Sequence, residues 1–406
     1  MTFMRLFPAY LPAVLLAIGL LVVSPAAAQP SQYESILDDP IVRFQVQRGL
    51  DLLYDMQFEQ ADKLFNQVDR RYPNHPAGPF LKALSTWWEI LLDLSDTSHD
   101  EAFFAQMEEV IERSDRLLKK NKDNFDAIFF KGAALGFRGR LRSNRGDWYK
   151  SALDGKRAMD YVLRVARKDP SNADYAFGKG IYDYYAAAIP DRYPFVKPVM
   201  IFFPRGDRAR GIRALEWTAR DGVFIQTEAA YFLLQIYYLF ERDFEKSVEY
   251  VNWLRKEHPN NPFFHTFEGR VYAHWGKWGD AGAIFSNVLA RYEKKMPGYN
   301  QAMAEQALYY RGRAHMVYAR YDEAIADLTA LRRLSATKPG ESYFEVWGRL
   351  REGMAYDAAG YRDRAVACYR EVLSMDNRAD VHDMARRFLN SPYKGVYSSP
   401  ANLSID

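Results

Sequence analysis

The chain holds one cysteine, Cys368, among 406 residues. A single thiol excludes an intramolecular disulfide, and with it Cys-rich zinc and iron–sulfur sites. Charge of one sign is missing too: 55 Lys and Arg face 52 Asp and Glu, for a formal net charge of +3. That balance lacks the electrostatic footprint of a nucleic-acid binder, so nucleic acid is not an expected partner. H-E-x-x-H, G-x-S-x-G and G-x-x-x-x-G-K-[ST] are all absent, which removes the commonest zinc-hydrolase, serine-hydrolase and phosphate-loop chemistries. After Val23 no apolar run reaches about 18 residues, the length of a membrane span. What the chain does have is aromatic side chains: 28 Tyr, 26 Phe and 8 Trp, or 15% of the whole, within 48% hydrophobic residues. Intrinsic disorder is excluded, and there is ample material for a core. Length alone suggests two or three domains.

The amino terminus reads as an address. Residues 1–28 carry one charge, Arg5, then an apolar stretch from Leu11 to Val23 and the sequence Ser24-Pro25-Ala26-Ala27-Ala28. This is the layout of a secretory signal peptide cleaved after Ala28, with a retained anchor as the alternative. Export without disulfides fits a bacterial periplasm or cell envelope better than a eukaryotic secretory route.

The rest of the chain repeats. Gly49, Ala61 and Phe65 have a spacing of twelve and then four residues, which recurs at Gly269, Ala281 and Phe285, at Gly312, Ala324 and Leu328, and at Gly353, Ala365 and Tyr369. Two antiparallel helices joined by a short turn must approach to roughly 8–10 Å. A small residue on each helix permits that approach, and the large residue one turn later fills the groove beside it. One such pair cannot bury its apolar face alone, whereas stacked pairs can. The expected fold is all-α, a solenoid of about eight antiparallel hairpins over residues 29–390, followed by a tail at 391–406. The stretch EAAYFLLQIYYLF, Glu228–Phe240, is apolar on nearly every side and is expected at the centre.

This pattern resembles the tetratricopeptide repeat, in the form found in exported bacterial proteins. The resemblance implies a non-enzymatic protein-interaction module or scaffold that holds partners in its concave groove, without cofactor, metal or catalytic residues. A shorter stretch, about residues 198–240, is similar to the eukaryotic inclusion-body-clearance family of tetratricopeptide-like proteins. It shares with that family a Pro-bounded apolar segment, Gly206-Asp207-Arg208, Gly211, Leu215, Glu228-Ala229 and an aromatic helix.

Residues 190–210 form an insertion with prolines at 190, 194, 198 and 204, so a regular helix is not expected across most of it. Its apolar residues, Phe195 to Phe203, fit a segment tucked into the solenoid, a lip that contacts a partner, or a lipid contact. The last of these underlies an alternative function, binding of a lipid or another apolar ligand. Candidate partner-binding residues fall in two groups. Arg138, Arg140 and Arg142 form a basic run followed by the aromatic Trp148, suited to acidic groups. Arg270, Arg313 and Met354 follow the repeat glycines by one position, and Tyr309 and Gln306 lie one and two turns before Arg313; all five are expected to face the groove of the carboxyl-terminal half. Cys368 reads as a small packing residue, the seven histidines as non-ligating, and Glu108, Glu109 and Glu112 as a solvated helix face. Arg145–Asp147 and Arg205–Asp207 spell Arg-Gly-Asp at turns.

Overall fold

The computed structural model describes residues 35–194, 197, 203–338 and 340–395. The signal-peptide reading of residues 1–28, most of the apolar insertion and the end of the tail therefore lie outside the described residues. Seventeen α-helices and no strand occur among those described. They are α1 (Pro40–Tyr54), α2 (Phe58–Arg71), α3 (Ala77–Leu92), α4 (Asp100–Lys120), α5 (Phe125–Asn144), α6 (Trp148–Lys168), α7 (Ala173–Arg192), α8 (Arg208–Asp221) and α9 (Gln226–Gln235). Then follow α10 (Phe244–Glu257), α11 (Pro262–His274), α12 (Trp278–Glu293), α13 (Gln301–Val317), α14 (Tyr321–Ser335), α15 (Tyr343–Ala358), α16 (Arg362–Val372) and α17 (Val381–Asn390). Each odd helix pairs with the next to give eight hairpins, and α17 closes the stack.

Local chemistry sets the starts and stops. Asp39, Asn124, Asp147, Asn172, Asp207, Asp243, Asn261, Asn300 and Ser342 each accept a hydrogen bond from a first-turn N–H, which satisfies donors that the helix itself cannot. The turn inside a hairpin has a fixed form. The residue two before the second helix is left-handed in six of the eight: Met56, Gly146, Arg242, Gly276, Ala319 and Gly360, with φ between 54° and 88°. In five of them the next N–H bonds back five residues, as from Gln57 to the Leu52 carbonyl and from Arg320 to the His315 carbonyl, the Schellman closure of a helix end.

Within the hairpins the close approach is literal. A Cβ added at Gly49 would lie 2.4 Å from the Phe65 ring, and one at Gly353 2.6 Å from the Tyr369 ring. Phe285 stands in the same relation to Gly269, and Leu328 to Gly312. Ala61, Ala281, Ala324 and Ala365 are each wholly buried at the crossing. Pro190 is accommodated in the last turn of α7, so helix runs two residues further than its prolines suggest. Beyond α9 the chain continues as a π-helical turn, Ile236–Glu241. The tail begins packed: Tyr393 is 4% exposed against Phe388, and its N–H donates to Asp357.

The superhelix also closes on itself. Trp88 on α3 meets Phe263 and Phe264 of α11 at ring separations of 5.9 and 5.4 Å. The Asn261 amide donates to the Tyr54 carbonyl at 2.8 Å, Asn260 donates to Asp55, and the Asn300 amide donates to the Leu92 carbonyl at 3.1 Å. Lys338 pairs with Asp93 at 2.8 Å. The hydrogen bonds and the ion pair tie the ends of α1 and α3 to chain segments more than 200 residues away.

His258 lies in this closure, its ring 5.1 Å from Tyr54 and its Nε2 2.9 Å from the Thr227 hydroxyl. Burial drives its pKa down to about 4, against a weaker upward pull from Asp55. The folded state thus binds a proton less readily than the unfolded state, whose histidine titrates near 6.5. The resulting stability is whole above pH 6.5 and is lost as pH falls towards 4, by roughly 3 kcal/mol in total. Denaturant titrations at pH 7.5, 5.5 and 4.5 should show that decline. His258→Gln should make it shallower, leaving the part due to His265, whose buried ring is likewise pushed down, to about 3; equal slopes in both proteins would remove His258 as a source.

Candidate functional site

The basic run is divided between two environments. Arg138 is 8% exposed; its Nε and Nη2 donate to Asp154 at 2.9 and 2.7 Å, and its Nη1 donates to Glu108. Arg142 donates to the same Asp154, which is wholly buried. These two arginines join α5 to α6 and are spent on internal carboxylates, so the expectation that they meet an outside acid is corrected. Arg145 is held by Asp100, so its Arg-Gly-Asp tripeptide is not displayed either. Trp148 has the opposite setting, opening α6 at 69% exposure beside Tyr149 at 76%.

The residues assigned to the carboxyl-terminal groove are mostly interior. Gln306 is 9% exposed, Tyr309 0%, Arg313 3% and Met354 1%. The reason is the bulk of their neighbours. Phe344 packs on both Tyr309 and Tyr310, and Tyr310 stacks on Phe285 at 5.0 Å. The Arg313 guanidinium lies over the Trp278 ring at 4.9 Å. Large rings on α12, α13 and α15 therefore fill the space that smaller residues would leave as a groove. Arg270 is half-buried, with its guanidinium 4.2 Å from the Phe267 ring centre.

The open space is in the amino-terminal half. A hollow of about 750 Å³ lies among α1, α3, α5, α6, α7 and α9. Its walls are largely carbon, with Phe80, Phe129, Phe137, Phe177, Val162 and Ile181 among them. Glycines widen it: a Cβ built on Gly136 or Gly155 meets nothing within 4 Å. Among the polar side chains in the wall, Arg140, Glu228 and Gln235 each keep a buried side-chain atom without a hydrogen bond. Arg140 lies over the rings of Trp87, Tyr231 and Phe232 at 4.9, 5.4 and 4.8 Å, and donates through Nη2 to the Tyr231 hydroxyl at 3.1 Å. Glu228 is 7% exposed, and its Oε1 accepts weakly from the Tyr54 hydroxyl at 3.5 Å. Burial pushes the Glu228 carboxyl up, against the pull of Arg140. The Trp88 indole N–H, which also pulls it down, does not reach hydrogen-bond geometry with it.

Other chemistry-bearing side chains are occupied. Cys368 is 1% exposed and burial pushes its thiol up to about 12, which suits packing and not nucleophilic attack. His265 contacts the Tyr299 hydroxyl, Glu268 pairs with Arg255, and His274 stacks on Tyr238. Among the described residues no three His, Cys, Asp or Glu side chains gather as a metal site, and no helix is long and apolar enough to cross a membrane.

The hairpin stack makes this a tetratricopeptide-like helical-repeat protein. No family model matches the chain, and no curated protein matches it. Among solved structures it is similar to the TPR domain of P58(IPK), at 15% identity and TM-score 0.23 over 87% of this chain and 99% of that one. Naa15/Naa10 bound to HypK gives 12% identity and TM-score 0.30 over 90% of this chain and 76% of that one. The Cut9–Hcn1 hetero-tetramer of APC/C gives 12% identity and TM-score 0.23 over 86% and 90%.

Proposed function

We propose that the protein is a non-enzymatic interaction module of the cell envelope, exported by its amino-terminal segment, and that it docks an acidic partner protein on α6. One observation carries this reading. Trp148, Tyr149 and Leu153 are exposed together on the first turns of α6, at 69%, 76% and 37%. Lys150, Lys156 and Arg157 stand exposed around them. An aromatic centre with a charged rim is the composition of a binding hot spot, and the sign of the rim selects a partner surface rich in Asp and Glu. Of the residues singled out in the sequence, Trp148 is the one that remains free to anchor a partner.

A photo-crosslinking residue at position 148, with a second protein labelled at Tyr318 as control, tests this in cells. Tyr318 is similarly exposed, at 54%, on another hairpin. The expected result is one stoichiometric protein adduct at 148, absent at 318 and lost when Lys150, Lys156 and Arg157 are all changed to Glu. Adducts to lipid alone, or equal adducts at both positions, would overturn the reading. Export is tested separately by the mass of the mature chain, expected to begin at Gln29.

A further inference from the structure

A hollow of about 750 Å³ with carbon walls, open to solvent on one side, leaves apolar surface against water that an apolar occupant would cover. Its size falls in the range of small-molecule pockets, about 300–1,000 Å³. The polar atoms in its wall make the stronger case. Nη1 of Arg140, Oε2 of Glu228 and Nε2 of Gln235 are all buried and all without a hydrogen bond. Buried polar atoms of this kind are nearly always paired, so three in one wall need a common explanation. They are arranged as a set. Glu228, Phe232 and Gln235 lie at i, i+4 and i+7 on α9, which puts them on one face, and Arg140 stacks on the Phe232 ring between them at 4.8 Å. The set presents two donors and one acceptor.

We propose that the hollow binds a single-chain amphipath, its apolar tail lying between α5, α6 and α7 and its neutral head group, a hydroxyl or amide, meeting Arg140, Glu228 and Gln235. A neutral head follows from charge. At the end where the head would sit, Arg140 and Glu228 supply one charge of each sign, and a further charge there would be buried without a counter-ion; Asp38, Arg43 and Asp174 also line the hollow, outside this group of three. A hydroxyl or amide both donates and accepts, as the wall requires. This site is separate from the protein-docking ridge, so either can fail without the other.

Monododecanoylglycerol is the probe, titrated below its aggregation limit into the full mature chain and followed by calorimetry. Saturable one-to-one binding is expected, with dodecanoate at least about tenfold weaker and glycerol inert. Gly136→Leu and Gly155→Leu place side chains into open space, so both should fold and both should weaken binding by about tenfold or more. Gln235→Leu should weaken it by about fivefold, the loss of one hydrogen bond. Native mass spectrometry and circular dichroism on each variant separate lost binding from lost folding. Titration without saturation, equal binding by Gly136→Leu, or dodecanoate binding as tightly as the monoglyceride would each overturn the proposal.

Discussion

Alanine in place of Asp154 is expected to cost about 3–5 kcal/mol of stability, more than any single change on the exposed face of α6. Asp154 is wholly buried and accepts from Arg138 through both oxygens and from Arg142 through one. Removing the carboxylate leaves Arg138, itself 8% exposed, without its main counter-ion in a medium that solvates it poorly. The charge cannot escape by losing a proton, since a guanidinium stays protonated throughout the accessible range. Glu108, the other acid on Arg138, is about half exposed and screened by water, so it offsets little of the loss. Arg142→Ala should be much milder, because Arg142 is partly exposed and its removal leaves Asp154 with a bidentate partner. Arg138→Met combined with Asp154→Leu should recover most of the stability, since an apolar pair of similar volume often replaces a buried ion pair without loss. Urea unfolding of the three proteins checks this. A double variant as unstable as Asp154→Ala would mean that packing at the α5–α6 crossing, and not the unpaired charge, carries the effect.

This case shows what a linear reading can and cannot reach. The Gly, Ala and large-residue spacing is local, and it located four of the eight hairpins with the right residues in contact. The turn geometry left no such mark. Met56, Arg242 and Ala319 adopt the left-handed conformation that Gly146, Gly276 and Gly360 adopt in sister hairpins. A search for glycine finds only half the set, because helix packing on either side holds the other three residues there. The basic run illustrates a second limit. Four arginines within eight residues look like one patch, but helical rotation sends Arg138 and Arg142 into Asp154 and Arg140 into a ring cluster. Spacing by three and four residues was available as a clue; the acids that answer it lie on another helix. The groove residues failed for a long-range reason. Their position after each repeat glycine is inward, but Phe344 and Tyr310 fill the space in front of them. The hollow had one signal. Glu228 and Gln235 are polar residues seven apart in a helix otherwise apolar on nearly every side, and a polar stripe in a buried helix asks for partners.

Trp88→Ala is expected to cost about 3–5 kcal/mol, like other large-to-small changes at fully buried aromatics, and also to change the shape of unfolding. Trp88 is 0% exposed and touches Tyr54, Tyr231, Phe263 and Phe264, four rings from three other helices. Tyr54 belongs to the first hairpin and Phe263 to the sixth, so this indole joins distant parts of the solenoid directly. In an open solenoid each repeat is stabilised only by its neighbours, and the ends can unfold separately. Closure around Trp88 adds a contact from the second hairpin to the sixth, skipping three, and makes the two ends share one transition. Without it, circular dichroism and intrinsic fluorescence should report separate midpoints in urea, with the amino-terminal hairpins melting first. Trp347→Ala is the matched control, since Trp347 is 1% exposed but packs beside Tyr343 on its own helix, away from the closure. It should lower the midpoint by a similar amount while both probes stay coincident. Were both variants to unfold in one step, the bonds from Asn260, Asn261 and Asn300 would suffice to hold the ends together, and the indole would contribute packing alone.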